Sequence, residues 1–286
     1  MLVCVTGASG RAGRAVVADL LAHEHEVIAV DLVPPATGAL GGAEFVRADL
    51  TDFGQAIEIF EGATAVIHLA NIPAPYMRTP ATTFNANMTM NFNVFHAAAQ
   101  VKLDRVVWAS SETTLGLPFD VPPRYAPVDE DHYPFPATTY ALSKVASETV
   151  AGQIAGWSGM PFVALRFSNI LGPAEYAGFP SVWGHPHKRK WNLWGYIDER
   201  DAATACRLAL DADVTGSPSF IIAAADTCMT RPSEELLREV FPGVPLKAPV
   251  PGTATLLAIG RARQALGFEP AHSWRDHVSP GTAKLT

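Results

Sequence analysis

The first 31 residues constrain the fold of this chain more than any other stretch. Residues 2–5 form an apolar run that ends in the glycine-rich segment 6–13, TGASGRAG. Apolar residues at helical spacing follow, and a second apolar run, 27–30, ends at Asp31. A strand, a glycine turn, a helix and a strand with a terminal carboxylate form, in this order, a dinucleotide-binding βαβ unit.

The glycines of this unit have separate roles. Gly7 allows a tight turn, Gly10 lets backbone N–H groups approach a pyrophosphate, and Gly13 lets the helix pack closely on the strand. The helix N-terminus offers unpaired N–H groups to the phosphates, and the final carboxylate is expected to accept hydrogen bonds from the adenosine ribose. The cofactor-binding residues predicted in this unit are Gly7, Ser9, Gly10, Arg11, Ala12, Gly13 and Asp31.

Strands and helices continue to alternate as far as residue 170. Apolar runs predict strands at 44–47, 64–70, 105–109 and 162–167, and helical patterns cover 84–101 and 138–156. This alternation predicts an α/β fold with a Rossmann-type, doubly wound parallel sheet and helices on both faces. Residues 1–170 are predicted to form the dinucleotide-binding domain. Residues 171–286 alternate less regularly and are predicted to form mainly a small C-terminal substrate lobe, with some elements returning to the sheet.

Composition and charge exclude several classes of function. The net charge of −7 argues against sequence-independent binding of nucleic acid. No apolar run reaches the length of a membrane span, and the chain begins directly with a predicted strand, so neither a membrane segment nor a signal peptide is expected. Cys4, Cys206 and Cys228 are isolated, which indicates a reducing compartment, and we expect the cytoplasm. His185 and His187 lack further ligands at a recognisable spacing, so no metal site is predicted.

A tyrosine and a lysine give the sharpest indication of chemistry. Tyr140 and Lys144 lie one turn apart on the same face of a predicted helix. A free tyrosine has a pKa of about 10 and is a poor base, but a neighbouring ammonium and a bound nicotinamide cation both favour its phenolate. Tyr140 is then expected to remove a hydroxyl proton from the substrate while hydride passes to the cofactor. Lys144 is expected to bond the nicotinamide ribose.

These motifs resemble those of the extended short-chain dehydrogenases/reductases, in particular the NAD-dependent epimerase/dehydratase family. The resemblance rests on the Gly-x-x-Gly-x-x-Gly turn, the Tyr-x-x-x-Lys pair, Ser110-Ser111 before Gly116, and the segment 166–173, RFSNILGP. It implies that Ser111 hydrogen-bonds the reacting oxygen as the third catalytic residue. It also implies further cofactor contacts at Asp49, Leu50, Leu69, Ala70, Asn71, Asn87, Ser110, Phe167 and Ile170, in addition to Tyr140 and Lys144.

The substrate side of the site is less constrained by the sequence. The candidate substrate-binding residues are Ser111, Glu112, Asn169, Trp183 and Lys188. Two of them have alternative interpretations, because Trp183 could pack in the core of the lobe and Lys188 could belong to a solvated surface. His68 stands alone in an apolar strand and is expected to be a core residue. The resemblance also implies a homodimer that is built from the helices 84–101 and 138–156.

The resemblance leaves several reactions open. Dehydratases of the family carry Thr-Asp-Glu where this chain has Ser111-Glu112-Thr113, so dehydration is not expected. The segment between Pro173 and Tyr196 is short, as it is in uronate dehydrogenases. We therefore predict an NAD-dependent dehydrogenase that acts on a hydroxyl of a sugar or sugar acid. The alternatives are a UDP-sugar 4-epimerase with tightly bound NAD and a non-catalytic dinucleotide sensor.

The choice between the two dinucleotides depends on charge. The carboxylate of Asp31 would repel the 2′-phosphate of NADP, and the residues that follow it carry no positive charge, so NAD is the predicted cofactor. Arg11 and Arg14 lie near the phosphates and keep NADP as the alternative. In the same way, Lys188 or Arg189 is a candidate partner for a substrate carboxylate.

Overall fold

A parallel sheet of seven strands forms the centre of the protein, and the computed structural model describes residues 1–279. Seven strands of this sheet and two of a separate small sheet occur in the described residues. They are β1 (Leu2–Thr6), β2 (Glu26–Asp31), β3 (Glu44–Arg47), β4 (Ala65–His68), β5 (Arg105–Ser111), β6 (Phe162–Phe167), β7 (Ile170–Leu171), β8 (Ile197–Asp198) and β9 (Ser219–Ile222). The order across the sheet is β3-β2-β1-β4-β5-β6-β9, and β7 pairs separately with β8. The order reverses beside β1, and open α/β sheets bind ligands in the crevice at such a reversal.

Helices cover both faces of this sheet. They are α1 (Arg11–Ala22), α2 (Phe53–Glu58), α3 (Pro80–Val101), α4 (Thr139–Ser158), α5 (Pro180–Trp183), α6 (Glu199–Asp211), α7 (Ser233–Val240) and α8 (Gly260–Leu266). One core lies between the sheet and the helices α1 and α6, and a second core lies between the sheet and α2, α3 and α4. The strands are apolar on both faces because both faces are covered. The predicted α/β fold is confirmed.

Local sequence explains where the elements near the site begin. Thr138 caps α4 by accepting a hydrogen bond from the backbone N–H of Ala141 at 3.1 Å, which places Tyr140 in the first turn. Helix α3 begins at Pro80, four residues before the predicted start, because proline suits the first turn of a helix.

The chain beyond residue 170 divides between the sheet and a separate core. Strand β9 joins the main sheet beside β6, and α6 packs against α1 on its face. Helix α8 packs in the first core through Ala262 and Leu266, and most of the other segments form a third core with the proline-rich segment 116–136, around Tyr176, Trp194, Tyr196 and Trp274. The predicted boundary at residue 170 stays a prediction, and residues 280–286 of the second predicted unit lie outside the described residues. Within residues 1–279, no helix is both long and apolar enough to cross a bilayer.

Candidate active site

A cavity of about 980 Å³ opens at the carboxyl ends of the central strands. It lies where the sheet order reverses, as expected for a ligand site in a fold of this kind. Most of the residues predicted from the sequence line it, namely Gly7, Gly10, Arg11, Ala12, Gly13, Asp31, Asp49, Leu50, Leu69, Ala70, Asn71, Ser110, Ser111, Glu112, Tyr140, Lys144, Phe167, Asn169 and Ile170. Ser9, Asn87, Trp183 and Lys188 do not line it.

The glycine turn at one end of the cavity is packed too closely for side chains. Gly7 has a φ of +73°, and a Cβ there would lie 2.7 Å from the backbone nitrogen of Ala70. A Cβ on Gly13 would lie 2.1 Å from the carbonyl oxygen of Gly7. Helix α1 starts directly after Gly10, and no side chain caps it. Its first N–H groups are therefore available to an anionic ligand in the cavity.

Asp31 is held in place at the end of β2. Its carboxylate accepts hydrogen bonds from the backbone N–H groups of Ser9 at 3.0 Å and Val33 at 3.1 Å. The hydroxyl of Ser9 donates to the carbonyl of Val33 at 2.6 Å. Ser9 therefore positions Asp31 rather than lining the cavity. A carboxylate has about four acceptor positions, so two remain for ligand hydroxyls.

Two further predicted residues shape the backbone around the cavity. The carboxylate of Asp49 accepts from the backbone N–H of Thr51 at 2.9 Å and from its hydroxyl at 2.7 Å, which makes it a turn residue as well as a lining residue. The side-chain amide of Asn87 pairs with both the N–H and the carbonyl of Ile72, at 2.8 and 3.1 Å. Asn87 thereby attaches the segment after β4 to α3 from behind the cavity wall.

Ser111, Tyr140 and Lys144 come together on one wall of the cavity. The hydroxyl of Ser111 accepts hydrogen bonds from the backbone N–H and the hydroxyl of Thr113, at 3.2 and 3.0 Å, and it acts on the phenol of Tyr140. The ammonium of Lys144 donates to the carbonyl of Ala109 at 2.7 Å and lies 5.7 Å from the centre of the Tyr140 ring. Ser111 is at the end of β5 and the other two residues are on α4, so the strand and the helix together fix their arrangement.

Burial dominates the pKa values of this group in the protein without ligand. Burial raises the pKa of Tyr140 to about 12, although the hydrogen bond from Ser111 lowers it, and the charge of Glu112 raises it further. Burial also lowers the pKa of Lys144 to about 7, against a smaller effect of Glu148. Desolvation favours the neutral form of both groups. In the protein alone the phenol therefore keeps its proton, and the expected phenolate depends on a protonated Lys144 and a bound nicotinamide cation.

Glu112 lies beside this group and is buried, although the residue lines the cavity. The carboxyl accepts hydrogen bonds from the hydroxyl of Ser168 at 2.6 Å and from the amide of Asn192 at 3.2 Å. Burial raises the pKa of Glu112 to about 7, although these two bonds, the charge of Arg189 and the backbone N–H of Asn169 lower it. Glu112, Ser168, Asn192 and Arg189 form one polar cluster. It lies at the end of the cavity near Tyr140, which is called the substrate end below.

A second buried network lies behind β5. The hydroxyl of Ser110 donates to Glu148 at 2.6 Å, and Glu148 pairs with the guanidinium of Arg166 at 2.7 Å. Ser110 lines the cavity, but its hydroxyl is engaged by α4. The sequence predicts Ser110 as a cofactor contact but does not predict its hydrogen bond to Glu148, because Glu148 lies 38 residues further along the chain.

The comparison with known proteins assigns the chain to a family. Residues 3–223 match the model of the NAD dependent epimerase/dehydratase family. The chain belongs to this family. The predicted family is thus confirmed, and its members are NAD-dependent enzymes. The lining residues fit that cofactor, because the uncapped N-terminus of α1 suits a pyrophosphate and the fixed carboxylate of Asp31 suits ribose hydroxyls.

Relatives within this epimerase/dehydratase family include sugar dehydrogenases and epimerases. The L-arabinose 1-dehydrogenase (NAD(P)(+)) of Haloferax volcanii is 29% identical over 225 residues, which cover 76% of this chain and 85% of the relative. The UDP-glucose 4-epimerase of Lacticaseibacillus casei is 28% identical over 178 residues, and the match spans only 52% of its length. A short-chain dehydrogenase/reductase superfamily protein from Agrobacterium tumefaciens, solved with bound NAD, is 25% identical with a TM-score of 0.74, over 96% of this chain and 94% of that one.

Two predicted substrate residues of this family member lie away from the cavity. The indole N–H of Trp183 donates to the carbonyl of Cys228 at 2.9 Å, and its ring packs against Trp274. Trp183 therefore belongs to the third core. Lys188 is exposed on the short helical segment Pro186–Asn192. Trp191, which the sequence analysis did not select, lines the cavity instead, because this segment turns it inward.

His68 lies in the core, at the centre of a polar network. Its ring nitrogens are 2.7 Å from the hydroxyl of Thr6 and 2.9 Å from the side-chain oxygen of Asn91. The amide of Asn91 also donates to the hydroxyl of Ser147 at 2.7 Å. Burial lowers the pKa of His68 to about 3, so the ring is neutral. In residues 1–279, no group of three or more histidine, cysteine or acidic side chains is arranged to hold a metal ion.

Proposed function

We propose that this protein is an NAD-dependent dehydrogenase that oxidises a hydroxyl group of a sugar or sugar derivative, with Ser111, Tyr140 and Lys144 as its catalytic residues. The observation that supports this most directly is that Ser111, Tyr140 and Lys144 line the same cavity, with the Lys144 ammonium 5.7 Å from the centre of the Tyr140 ring. This group shares one cavity with a glycine turn that fits a dinucleotide. A non-catalytic sensor has no need of such a buried and desolvated pair.

The chain's own residues would divide the reaction between them. The hydroxyl of Ser111 orients the reacting oxygen, and the phenolic oxygen of Tyr140 takes its proton. The raised pKa of Tyr140 means that additional positive charge must act on it before it can serve as a base. Protonated Lys144 supplies part of this charge from the same face of α4. When bound, NAD supplies the acceptor for the hydride.

NAD, rather than NADP, is the proposed cofactor. The carboxylate of Asp31 occupies the position that a 2′-phosphate would approach. The two arginines that could compensate are engaged elsewhere, because Arg14 donates to the carbonyl of Ser9 at 2.6 Å and Arg11 pairs with Glu175. A soluble homodimer in the cytoplasm, formed through α3 and α4, also stays a proposal, and exposed Phe92 and Trp157 on these helices are consistent with it.

The main rival function is a UDP-sugar 4-epimerase, as the relative from Lacticaseibacillus casei is. The relative that covers more of both chains is a dehydrogenase of a free sugar, and this favours our proposal. The segment from 172 to 196 contains only short helical turns that pack into the third core. It adds no further sheet or long helix that could hold a nucleotide moiety of the substrate.

The state of the cofactor in the purified protein separates these functions. The protein would be denatured and any released dinucleotide identified and counted. An empty site that takes up NAD reversibly, together with reduction of NAD by free sugars, is the result expected for a dehydrogenase. Stoichiometric bound NAD with interconversion of UDP-sugars would instead establish the epimerase. No affinity for either dinucleotide would contradict both.

A matched pair of tyrosine variants tests the catalytic assignment. We expect Tyr140→Phe to lower kcat by a factor of about 10² to 10⁴, the usual contribution of a positioned acid or base. Tyr133→Phe is the control, because Tyr133 is outside the cavity lining and partly exposed. Rates of NAD reduction and calorimetric binding of NAD would be measured for both. A Tyr140→Phe enzyme with normal kcat would contradict the assignment.

A further inference from the structure

The polar cluster at the substrate end places a buried carboxyl next to the reacting group. The Glu112 side chain is only 3% exposed, yet the residue lines the cavity, and its charge acts on Tyr140. Two charged or titratable side chains face it, namely Tyr140 on α4 and Arg189 on the segment Pro186–Asn192. A substrate whose hydroxyl reaches Tyr140 must therefore approach Glu112.

The hydrogen bonds of Glu112 leave it able to accept one more donor. Its carboxylate has about four acceptor positions. The hydroxyl of Ser168 and the amide of Asn192 occupy two of them, and the backbone N–H of Asn169 acts on a third. A sugar hydroxyl can donate to the fourth position, whereas a substrate carboxylate or phosphate has only acceptors to offer. Repulsion between like charges adds to this mismatch.

Within residues 1–279, no lysine or arginine other than Lys144 lines the cavity at the substrate end to offset that repulsion. Among residues 1–279, the lysine and arginine side chains that line the cavity are Arg11 and Lys144. Arg11 is at the glycine turn and pairs with Glu175, while Lys144 donates to the carbonyl of Ala109. Arg189 donates to the carbonyl of Gly195 at 3.1 Å and does not line the cavity.

We propose that Glu112 makes the substrate end select uncharged sugars and reject substrates that carry a carboxylate or phosphate close to the reacting hydroxyl. This inference rests on the proposed dehydrogenase function and narrows its substrate class. The raised pKa of Glu112, about 7, adds a dependence on pH. The rejection is strong above that pH, where the carboxyl is ionised, and weakens below it as the carboxyl takes up a proton.

The test compares sugars that differ in a single charged group. Galactose and galacturonate, and glucose and glucuronate, would be assayed for NAD reduction at a pH of about 8.5, where Glu112 is ionised. We expect kcat/KM for each aldose to exceed that for its uronate by at least about tenfold. Because both sugars of a pair use the same catalytic residues, the titration of those residues cancels in the ratio.

A substitution of Glu112 isolates its contribution. In Glu112→Gln, the ratio of kcat/KM for the aldose to kcat/KM for its uronate should fall at least fivefold, because one negative charge is lost. The change should come mainly from a lower KM for the uronate. Glu61→Gln removes the same charge from the exposed surface and should keep the wild-type ratio. Should Glu112→Gln fail to fold, the wild-type ratio decides the matter, because it should fall as the pH is lowered from about 8.5 to about 6.

Other outcomes overturn the inference. Equal use of both sugars, a ratio that Glu112→Gln leaves unchanged, or a ratio independent of pH contradicts a role of Glu112 in selection. A preference for the uronate would instead assign the buried Nε of Arg189, which has no hydrogen-bond partner within residues 1–279, to the substrate carboxylate.

Absence of turnover with either sugar contradicts the proposed dehydrogenase, and the specificity is then judged separately. Calorimetry with the same sugars in the presence of NAD would be carried out on the wild type and Glu112→Gln. Tighter binding of the aldose that disappears in the variant supports the selection by Glu112. Equal binding of the two sugars, or no binding of either, contradicts it.

Discussion

At the scale of single residues, burial sets the charges of the reactive groups. Tyr140 and Lys144 are both buried and both shifted toward their neutral forms, with pKa values of about 12 and about 7. Water can no longer solvate either charge, so each depends on the other and on whatever binds beside it. Burying these two groups therefore lowers the free energy of unfolding when no ligand is bound.

Removing the lysine should therefore stabilise the protein while abolishing its activity. The folded pKa of Lys144 lies below its unfolded value of 10.5, so its burial weakens the fold increasingly as the pH falls from about 10 to about 7. We expect Lys144→Met to raise the free energy of unfolding by about 1–3 kcal/mol at pH 7, after the loss of the bond to the Ala109 carbonyl. Urea denaturation would measure it.

The control for this prediction is Lys188→Met, which replaces an exposed lysine. Its effect on stability should stay within about 0.5 kcal/mol. The gain in Lys144→Met should also shrink between pH 7 and pH 10, because the unfolded lysine then loses its own proton. A loss of stability at pH 7 would mean that the ammonium contributes more to the fold through Ala109 than its burial costs.

The sequence predicts a functional residue well when its neighbours are close along the chain. Tyr140 and Lys144 are one helical turn apart, so their common face follows from helical geometry alone. Trp183 and Lys188 do not line the cavity, and the sequence could not show this, because the irregular segments that carry them have no periodicity from which a direction could be inferred. The partners of Glu112 were missed for a related reason, since Asn192 is 80 residues away from it.

At the scale of elements, buried polar bonds join the sheet to the helices of one face. The network of Thr6, His68, Asn91 and Ser147 runs from β1 through β4 to α3 and α4. The alternation of apolar runs predicts these elements and their order, but it carries no information on polar groups that meet across them. The strands and long helices were therefore predictable, whereas the fixed packing of α3 and α4 against β4 was not.

Asn91 is the residue on which this network depends. We expect Asn91→Ala to lower the free energy of unfolding by about 2–3 kcal/mol, because it removes the partner of one ring nitrogen of His68 and the donor to the Ser147 hydroxyl, both of which are buried. Gln100→Ala on the same helix is the control, since Gln100 is exposed. Urea denaturation of both variants would measure the difference. A loss no larger than that of the control would show that the network is dispensable.

At the scale of the whole molecule, the two halves of the chain meet at the mouth of the cavity. Arg11, at the glycine turn, forms a bidentate ion pair with Glu175 and lies 3.9 Å from Glu199. These acidic residues come from the part of the chain beyond residue 170. The pair is substantially exposed, so its contribution to stability is small. Its consequence for the affinity of an anionic dinucleotide is larger.

The charges of this ion pair should act in opposite directions on the binding of NAD. Arg11→Ala removes a positive charge from the end that fits the pyrophosphate, and we expect NAD to bind about three- to tenfold more weakly. Glu175→Gln removes a negative charge from the same place and frees Arg11, so NAD should bind more tightly by a similar factor. Calorimetry at low salt would measure both, and both effects should diminish at high salt, where exposed charges are screened. If both variants bind NAD more weakly, the ion pair acts instead as a contact that holds the chain beyond residue 170 over the dinucleotide. The intact contact then matters more for the affinity for NAD than the individual charges of Arg11 and Glu175.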